Sequence, residues 1–221
     1  MPDLPMFPLP TVLLPHKVLP LHVFEPRYRA LMHDVVEDTG EFGITLITRS
    51  ADRPADEQRA AVGTLARIVQ AEELEDGRWL LVTVGTRRFQ VTRWLDDAPY
   101  PRADVMWLTD EPVTAQDRRE IDEITPILAR VLQLQERLRM RSDDRSTHAD
   151  VDDSHSSAVL ADLSPVADPQ VAGWQPLVLS PLNPFDSQQI LEAGRWEKRL
   201  TILREALDDV EMALLFQLST D

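Results

Sequence analysis

The chain reads as an α+β protein in which strands come first and helices second. Three observations carry this reading. Proline-punctuated, β-branched apolar runs dominate up to residue 108. An Asp-Gly turn, Asp76-Gly77, separates two such runs. From Asp117 onward the apolar spacing switches to three and four residues, the period of a helix. Residues 1–111 are therefore expected to form a β-domain and residues 112–221 a helical subdomain.

Residues 4–14 and 18–24 are apolar, with prolines at 5, 8, 10, 15 and 20. Proline cannot donate to a strand ladder, so these segments suit an irregular edge or barrel-closing position. Pro15-His16-Lys17 breaks them and is expected to turn a first hairpin. Pro26 suits the first position of a helix, where a missing N–H costs nothing, and Glu25 before it is expected to cap. Tyr28, Leu31, Met32, Val35 and Val36 then share one helical face, with Gly40 as a stop signal.

Phe42–Thr48 is the next expected strand, residues 50–59 a polar loop, and Val62–Val69 another strand. Glu75-Asp76-Gly77-Arg78 reads as a hairpin turn, because Asp-Gly supplies the positive φ that a tight turn demands. Trp79–Val84 and Arg88–Trp94 are expected to pair as two strands around Gly85, and Arg102–Leu108 closes the β series.

In the second half, Ile121, Ile124, Leu128, Val131 or Leu132, and Leu138 mark a long helix, with Pro126 kinking it or marking its first turn. Residues 142–157 are rich in Ser and Asp and poor in apolar side chains. They cannot bury enough surface to offset ordering entropy, so a mobile acidic loop is expected. Asp168-Pro169 reads as a cap and helix start, with Pro176 bending or limiting that helix. Asp186 is expected to cap a helix over 187–193. A last helix after Gly194 carries Leu200, Leu203, Leu207, Val210 and Leu214 on one stripe.

Composition narrows the function classes. At 221 residues and 43% apolar the chain holds one large or two small domains with a real core. It has no cysteine, so disulfides, thiolate nucleophiles and Cys-ligated zinc are excluded. Met1-Pro2-Asp3 lacks the basic and apolar regions of a signal peptide, and no apolar run approaches the ~20 residues that span a bilayer. A soluble cytoplasmic protein without membrane contact is expected. The formal charge is −15: residues 1–111 carry 12 basic and 18 acidic groups, and residues 112–221 carry 11 and 20. Both halves therefore repel phosphate, which argues against nucleic acid as a partner.

The segment Leu19-Pro20-Leu21-His22-Val23-Phe24-Glu25-Pro26-Arg27-Tyr28-Arg29 resembles the N-terminal substrate-binding domain of Lon proteases. Gly63-Thr64-Leu65-Ala66, Asp76-Gly77-Arg78 and Gly85-Thr86-Arg87-Arg88-Phe89 stand where that family has its corresponding pattern. Gln189-Ile190-Leu191-Glu192 and Arg199–Leu203 follow its C-terminal pattern. The resemblance is dense over 4–31 and 62–91 and thinner over 186–207. It implies a PUA-like β pseudobarrel followed by a helical subdomain, and a module that recognises exposed apolar segments of proteins.

The catalytic parts of a Lon protease are not legible in these residues. Seven glycines and two lysines, Lys17 and Lys198, provide no phosphate-binding loop. Neither lysine is placed as the buried base of a Ser-Lys dyad, and there is no G-x-S-x-G elbow. A non-enzymatic module without cofactor is expected. His16, His22 and Glu25 lie close in sequence, but a metal site wants a tighter set. His22 is expected to bond a carbonyl or pack on a ring instead.

The resemblance implies unfolded or partly folded polypeptides as partners, and a role as holdase or as adaptor to a separate ATP-dependent protease. Pro15, His16, Phe24 and Arg27, with Trp107 near the subdomain junction, are the candidate peptide-binding residues, chosen on position and residue type. The surface expected to hold them is a cleft between the β-domain and the helices. The competing expectation is structural: Tyr28 as core, Arg27 and Arg29 paired with acids of their own helix, and the five tryptophans mostly buried. RNA binding through Arg87, Arg88 and Arg93, a small-molecule site in the cleft, and oligomerisation through the last helix are the alternatives.

Overall fold

The computed structural model describes residues 3–49, 57–145 and 167–220. By their internal packing these form two units. One holds the residues up to Glu111 together with Ser187–Gly194. The other holds Pro112–Asp186 and the residues from Arg195 onward.

The first unit is a closed barrel with one strand added outside it. The strands are β1 (Asp3–Leu9), β2 (Val18–Val23), β3 (Glu41–Arg49), β4 (Gln58–Glu73), β5 (Trp79–Trp94) and β6 (Arg102–Trp107). The sheet runs β2-β5-β4-β3-β1-β6, and a further β5–β6 pairing closes it. β1 lies parallel to β3 and antiparallel to β6, with Met6 opposite Gly43 and Leu4 opposite Ala103. Among the described residues β2 pairs with β5 alone, from Val18–Val84 to Val23–Trp79. Thus β1 is the barrel-closing strand and β2 the edge strand, and they form no hairpin with each other. β1 also ends at Leu9, so the apolar residues 10–14 are not strand.

The largest departure from the sequence reading is β5. Trp79–Val84 and Arg88–Trp94 do not pair around Gly85 but form one continuous strand of 16 residues. Its first half pairs with β2 and the far end of β4; its second half pairs with β6 and the start of β4. Gly85 reads like a turn residue, but it is required for close approach. A Cβ there would lie 2.2 Å from the carbonyl oxygen of Leu14. The neighbouring chain is tied to the same residue, with Gly85 donating to Lys17 O at 2.9 Å and accepting from His16 N at 2.7 Å. The true turn is at Gly77, whose φ of +76° favours glycine.

Strand alternation sorts the β core into two clusters. Leu4, Met6, Leu65, Phe89, Ala103 and Val105 fill one; Phe7, Phe42, Ile44, Ala66, Trp79 and Leu81 join the other. The second cluster receives helix α1 (Pro26–Glu37) through Tyr28, Leu31, Met32 and Val35. Val36, expected on the same face, is exposed. Glu25 occupies the cap position, yet its carboxylate makes no cap bond; it accepts instead from Arg27 Nε at 3.1 Å. The residues of the expected 50–59 loop up to 56 lie outside the described residues, and Gln58 and Arg59 already belong to β4.

The second unit contains α2 (Ala115–Arg145), α3 (Pro169–Leu179) and α5 (Trp196–Thr220). Thr114 and Asp117 start α2 reciprocally: Asp117 Oδ2 accepts from Thr114 N at 2.7 Å, and Asp117 N donates to Thr114 Oγ1 at 3.2 Å. α2 runs through Pro126, so this proline neither starts nor ends it. Ile124, Leu128 and Val131 of α2 and Leu200, Leu203 and Leu207 of α5 are buried. Arg204–Glu123 and Arg130–Glu211 link the two helices at the surface. Arg199, fully buried, lies between the indoles of Trp174 and Trp196, 4.5 and 4.6 Å from their centroids. Asp168 caps α3 as expected, accepting from Gln170 N at 2.8 Å. Of the expected mobile loop, 142–145 are the last turn of α2, and 146–157 lie outside the described residues.

Helix α4 (Pro184–Glu192) starts earlier than Asp186 implies. Asn183 is its cap, accepting from Asp186 N at 2.9 Å, and Asp186 sits in the first turn. Its later residues belong with the barrel. Gln188 Nε2 donates to Val62 O at 3.1 Å, and Arg88 Nη1 donates to Leu191 O at 2.6 Å.

Candidate functional site

The outward face of the β2-β5-β4 layer is the most unusual surface of the barrel unit. Trp79, Leu81 and Thr83 of β5 point inward and are buried, which turns Leu80, Val82 and Val84 outward. The register sets these beside the exposed residues of β2: Val18 opposite Val84, Pro20 opposite Val82, and His22 opposite Leu80. On the other side β4 contributes Gln70 opposite Val82 and Glu72 opposite Leu80. Val69 lies in the register shift between Ile68 and Gln70 and is pushed outward. The chain leaves β2 through Phe24.

Three large apolar side chains on adjoining strands, and Phe24 just past the end of β2, therefore stand in solvent. Val18 is 59% exposed, Phe24 61%, Val69 66% and Leu80 42%. The His22 ring packs on Phe24 at 5.9 Å, and Arg78 Nη1 lies 3.3 Å from His22 Nε2. Arg78 also pairs with Asp76, whose carboxyl is held below the usual range by a backbone N–H donated from Arg78. Among the described residues no group of three His, Cys, Asp or Glu could hold a metal ion, and no helix is long and apolar enough to cross a membrane.

The structure distributes the sequence-derived candidates unevenly. Phe24 belongs to this face. His16 is exposed just before β2, with a φ of +65°, and is tied by its N–H to Gly85. Arg27 is half-buried, paired with Glu25 and stacked 4.4 Å over the Tyr28 ring. Burial raises the Tyr28 phenol to about 12, in keeping with a core role. Pro15 is buried, so it presents no side chain to a partner. Trp107 lies in β6, packed under Arg87 at 3.6 Å and edge-on to Phe89, away from the β2-β5-β4 layer.

Val18, Pro20, Val69 and Leu80 escaped sequence reasoning. One signal was available: Trp79-Leu80-Leu81-Val82 is apolar on both faces of its strand, where a barrel surface would alternate with polar residues. The arginine cluster has a structural explanation. Arg88 is buried against Asp110, with Nε to Oδ1 at 2.9 Å, and Arg93 pairs with Asp104. Burial pushes the Lys17 ammonium below its ordinary pKa, and its backbone N–H donates to Leu14 O at 3.1 Å in the turn before β2.

Comparison with known proteins agrees with this architecture. Residues 3–209 match the family model of the ATP-dependent protease La (LON) substrate-binding domain. Lon protease 1 of Thermus thermophilus is 30% identical over 214 residues, covering 95% of this chain and 25% of the relative. Lon protease 2 of Myxococcus xanthus is 32% identical over 123 residues, covering 55% of this chain and 15% of the relative. The chain thus spans a quarter or less of these relatives. The crystal structure of a Lon N-terminal domain protein from Xanthomonas campestris superposes with a TM-score of 0.58 at 26% identity, covering 92% of this chain and 97% of that one. The N-terminal domain of the Mycobacterium avium complex Lon protease shares the fold, with a TM-score of 0.61 at 19% identity over 94% of this chain and 99% of that one. With the family pattern running through both units, the chain belongs to the Lon substrate-binding domain family.

Proposed function

We propose that this chain is a non-catalytic polypeptide-binding module whose client surface is the outward face of β2, β5 and β4. The observation that carries the proposal is the adjoining exposure of Val18, Phe24, Val69 and Leu80 on a face that barrel closure does not need. Covering such side chains removes apolar area from water at roughly 25 cal/mol per Å². An unfolded client offers the matching apolar segments, and a folded one does not. Membership in a substrate-binding family supports the same role.

His16 and Arg27 flank this face in sequence and are proposed as its polar border. Pairing of Arg88 and Arg93 with Asp110 and Asp104 weighs against RNA. Work as a holdase, or as an adaptor to an ATP-dependent protease, uses the same face. The two roles separate by whether adding such a protease degrades the captured client.

The test is fluorescence anisotropy of a labelled, permanently unfolded polypeptide. Saturable binding that persists at high salt is expected, and Phe24→Ala should weaken it about tenfold. Binding abolished by salt, or unchanged in Phe24→Ala, would remove this face from the account.

A further inference from the structure

We infer that the client is held as an added β-strand along the open side of β2, and that the segment chosen alternates apolar residues and carries basic flanks. This rests on the proposed polypeptide-binding role and specifies how the chain is held. The backbone register carries the argument. Lys17 O accepts from Gly85 N at 2.9 Å, so residue 17 points its carbonyl toward β5. From Val18–Val84 to Val23–Trp79 the pairing runs without a shift. Alternation along an antiparallel pair then turns the backbone groups of Leu19, Leu21 and Val23 toward β5. Thr83 Oγ1 donates to Leu19 O at 2.8 Å, consistent with that direction.

The groups of Val18, Pro20 and His22 consequently face the unpaired side. Among the described residues they take no backbone partner outside the strand, and all three residues are exposed. The open side offers N–H and C=O at Val18, C=O alone at Pro20, and N–H and C=O at His22. Pro20 removes one donor, which blunts uncontrolled pairing between identical edges. The remaining donors and acceptors suffice for a short strand added to the edge, a recognised mode of peptide capture.

An added strand would project every second side chain onto the level of Val18, Val82 and Leu80, extending that apolar face. The charge favours basic flanks. Glu72 stands on this face without an ion pair among the described residues, and the chain carries −15 overall. Arg78 beside His22 is already paired with Asp76, so Glu72 is left to retain a cationic segment.

The experiment uses a labelled short peptide with apolar residues at alternate positions and lysines at both ends, titrated into the full chain. N-methylation of the backbone at one alternate set of positions should weaken binding about tenfold, and at the other set less than twofold. Amide exchange at Val18 and His22 should slow in the complex, while Leu19 and Leu21 are already protected in the free protein. Replacing the terminal lysines by glutamates should weaken binding several-fold at low salt.

Full binding that ignores N-methylation at every position would overturn strand addition and leave side-chain docking on the same face intact. Equal binding of the glutamate-flanked peptide would overturn the basic preference. No binding of the unmodified peptide would remove the polypeptide-binding role and this inference together. Protection of Val18 and His22 in the free protein that grows with protein concentration would assign the edge to a second copy of the chain and overturn the client assignment.

Discussion

The two halves of strand β5 live in opposite environments. In the second half, Arg88–Gln90 pairs with β4 on one side and Phe89–Trp94 pairs with β6 on the other, and this closes the ring. Its surroundings carry paired charge: Arg93 with Asp104, Arg102 with Asp3, and Arg59 with Asp97 over the Trp94 ring. Trp79–Val84 has β4 on one side and the short, proline-bearing β2 on the other. Its outward residues are Leu80, Val82 and Val84. One strand thus passes from a sealed, charge-covered wall to an open, apolar layer. A barrel needs the first condition to be stable, but nothing in its closure requires the second. Apolar exposure next to an open edge carries a risk of aggregation, and the proposed client surface would carry that cost.

The contrast breaks most severely at Arg88. Its guanidinium joins Asp110 to the carbonyls of Leu191 and Ala193 inside the sealed half. Arg88→Met removes this shared guanidinium from Asp110 and the two carbonyls and should cost about 3 kcal/mol, read as a lower urea midpoint. A loss below about 1 kcal/mol would show that water replaces the side chain readily. Gly85→Ala comes next. Its methyl would meet backbone rather than a flexible side chain, so a loss of about 1–3 kcal/mol is expected, together with weaker client binding as β2 shifts. Unchanged stability would mean that the crossing over Leu14 relaxes freely.

A smaller effect separates the halves cleanly. Leu80→Ser should change stability by no more than about 0.5 kcal/mol while weakening unfolded-client binding several-fold. Arg93→Ala in the sealed half should cost less than about 1 kcal/mol and leave client binding alone. Reversal of that pattern, with Arg93 governing binding, would place the client surface on the wrong half of β5.

Alkaline pH gives a further probe. The phenols of Tyr28 and Tyr100 are both raised to about 12, chiefly by burial and, at Tyr100, also by the bond to Asp34. A raised folded value means that the neutral phenol is favoured in the native state. The corresponding stability is present in full below the unfolded value near 10 and is lost as pH climbs toward 12. Melting temperature should therefore fall over that window, and the fall should be shallower in Tyr28→Phe. An identical alkaline fall in Tyr28→Phe would assign it to other groups.

Much of the architecture was legible along the chain because it is set by local rules. The Tyr28–Val35 stripe, the Asp168 cap and the Asp76-Gly77 turn each depend on residues within a few positions of one another. The misreadings share a cause. Gly85 resembles a hairpin turn until Leu14 is brought against it, and Glu25 resembles a cap until Arg27 takes its carboxylate. Asp186 likewise resembles a cap until Asn183 precedes it in space as well as in sequence. Among the binding candidates, Phe24 was visible as a large apolar residue just past a strand. Pro15 and Phe24 looked equally available, and only packing buries the first and exposes the second.

The amino-acid sequence by itself determined the order of strands and helices, the acidic charge that disfavours phosphate partners, and the family pattern from Leu19 to Leu203. These follow from periodicity, composition and short-range chemistry, which need no partner across space. Tertiary structure alone decided that β5 is one strand, that β2 is its open edge, that Arg88 is interior, and that Val18, Phe24, Val69 and Leu80 meet solvent on one layer. Each of these is a statement about which distant segment lies against a residue. An apolar side chain has no intrinsic exposure; its environment is supplied by pairings made many residues away.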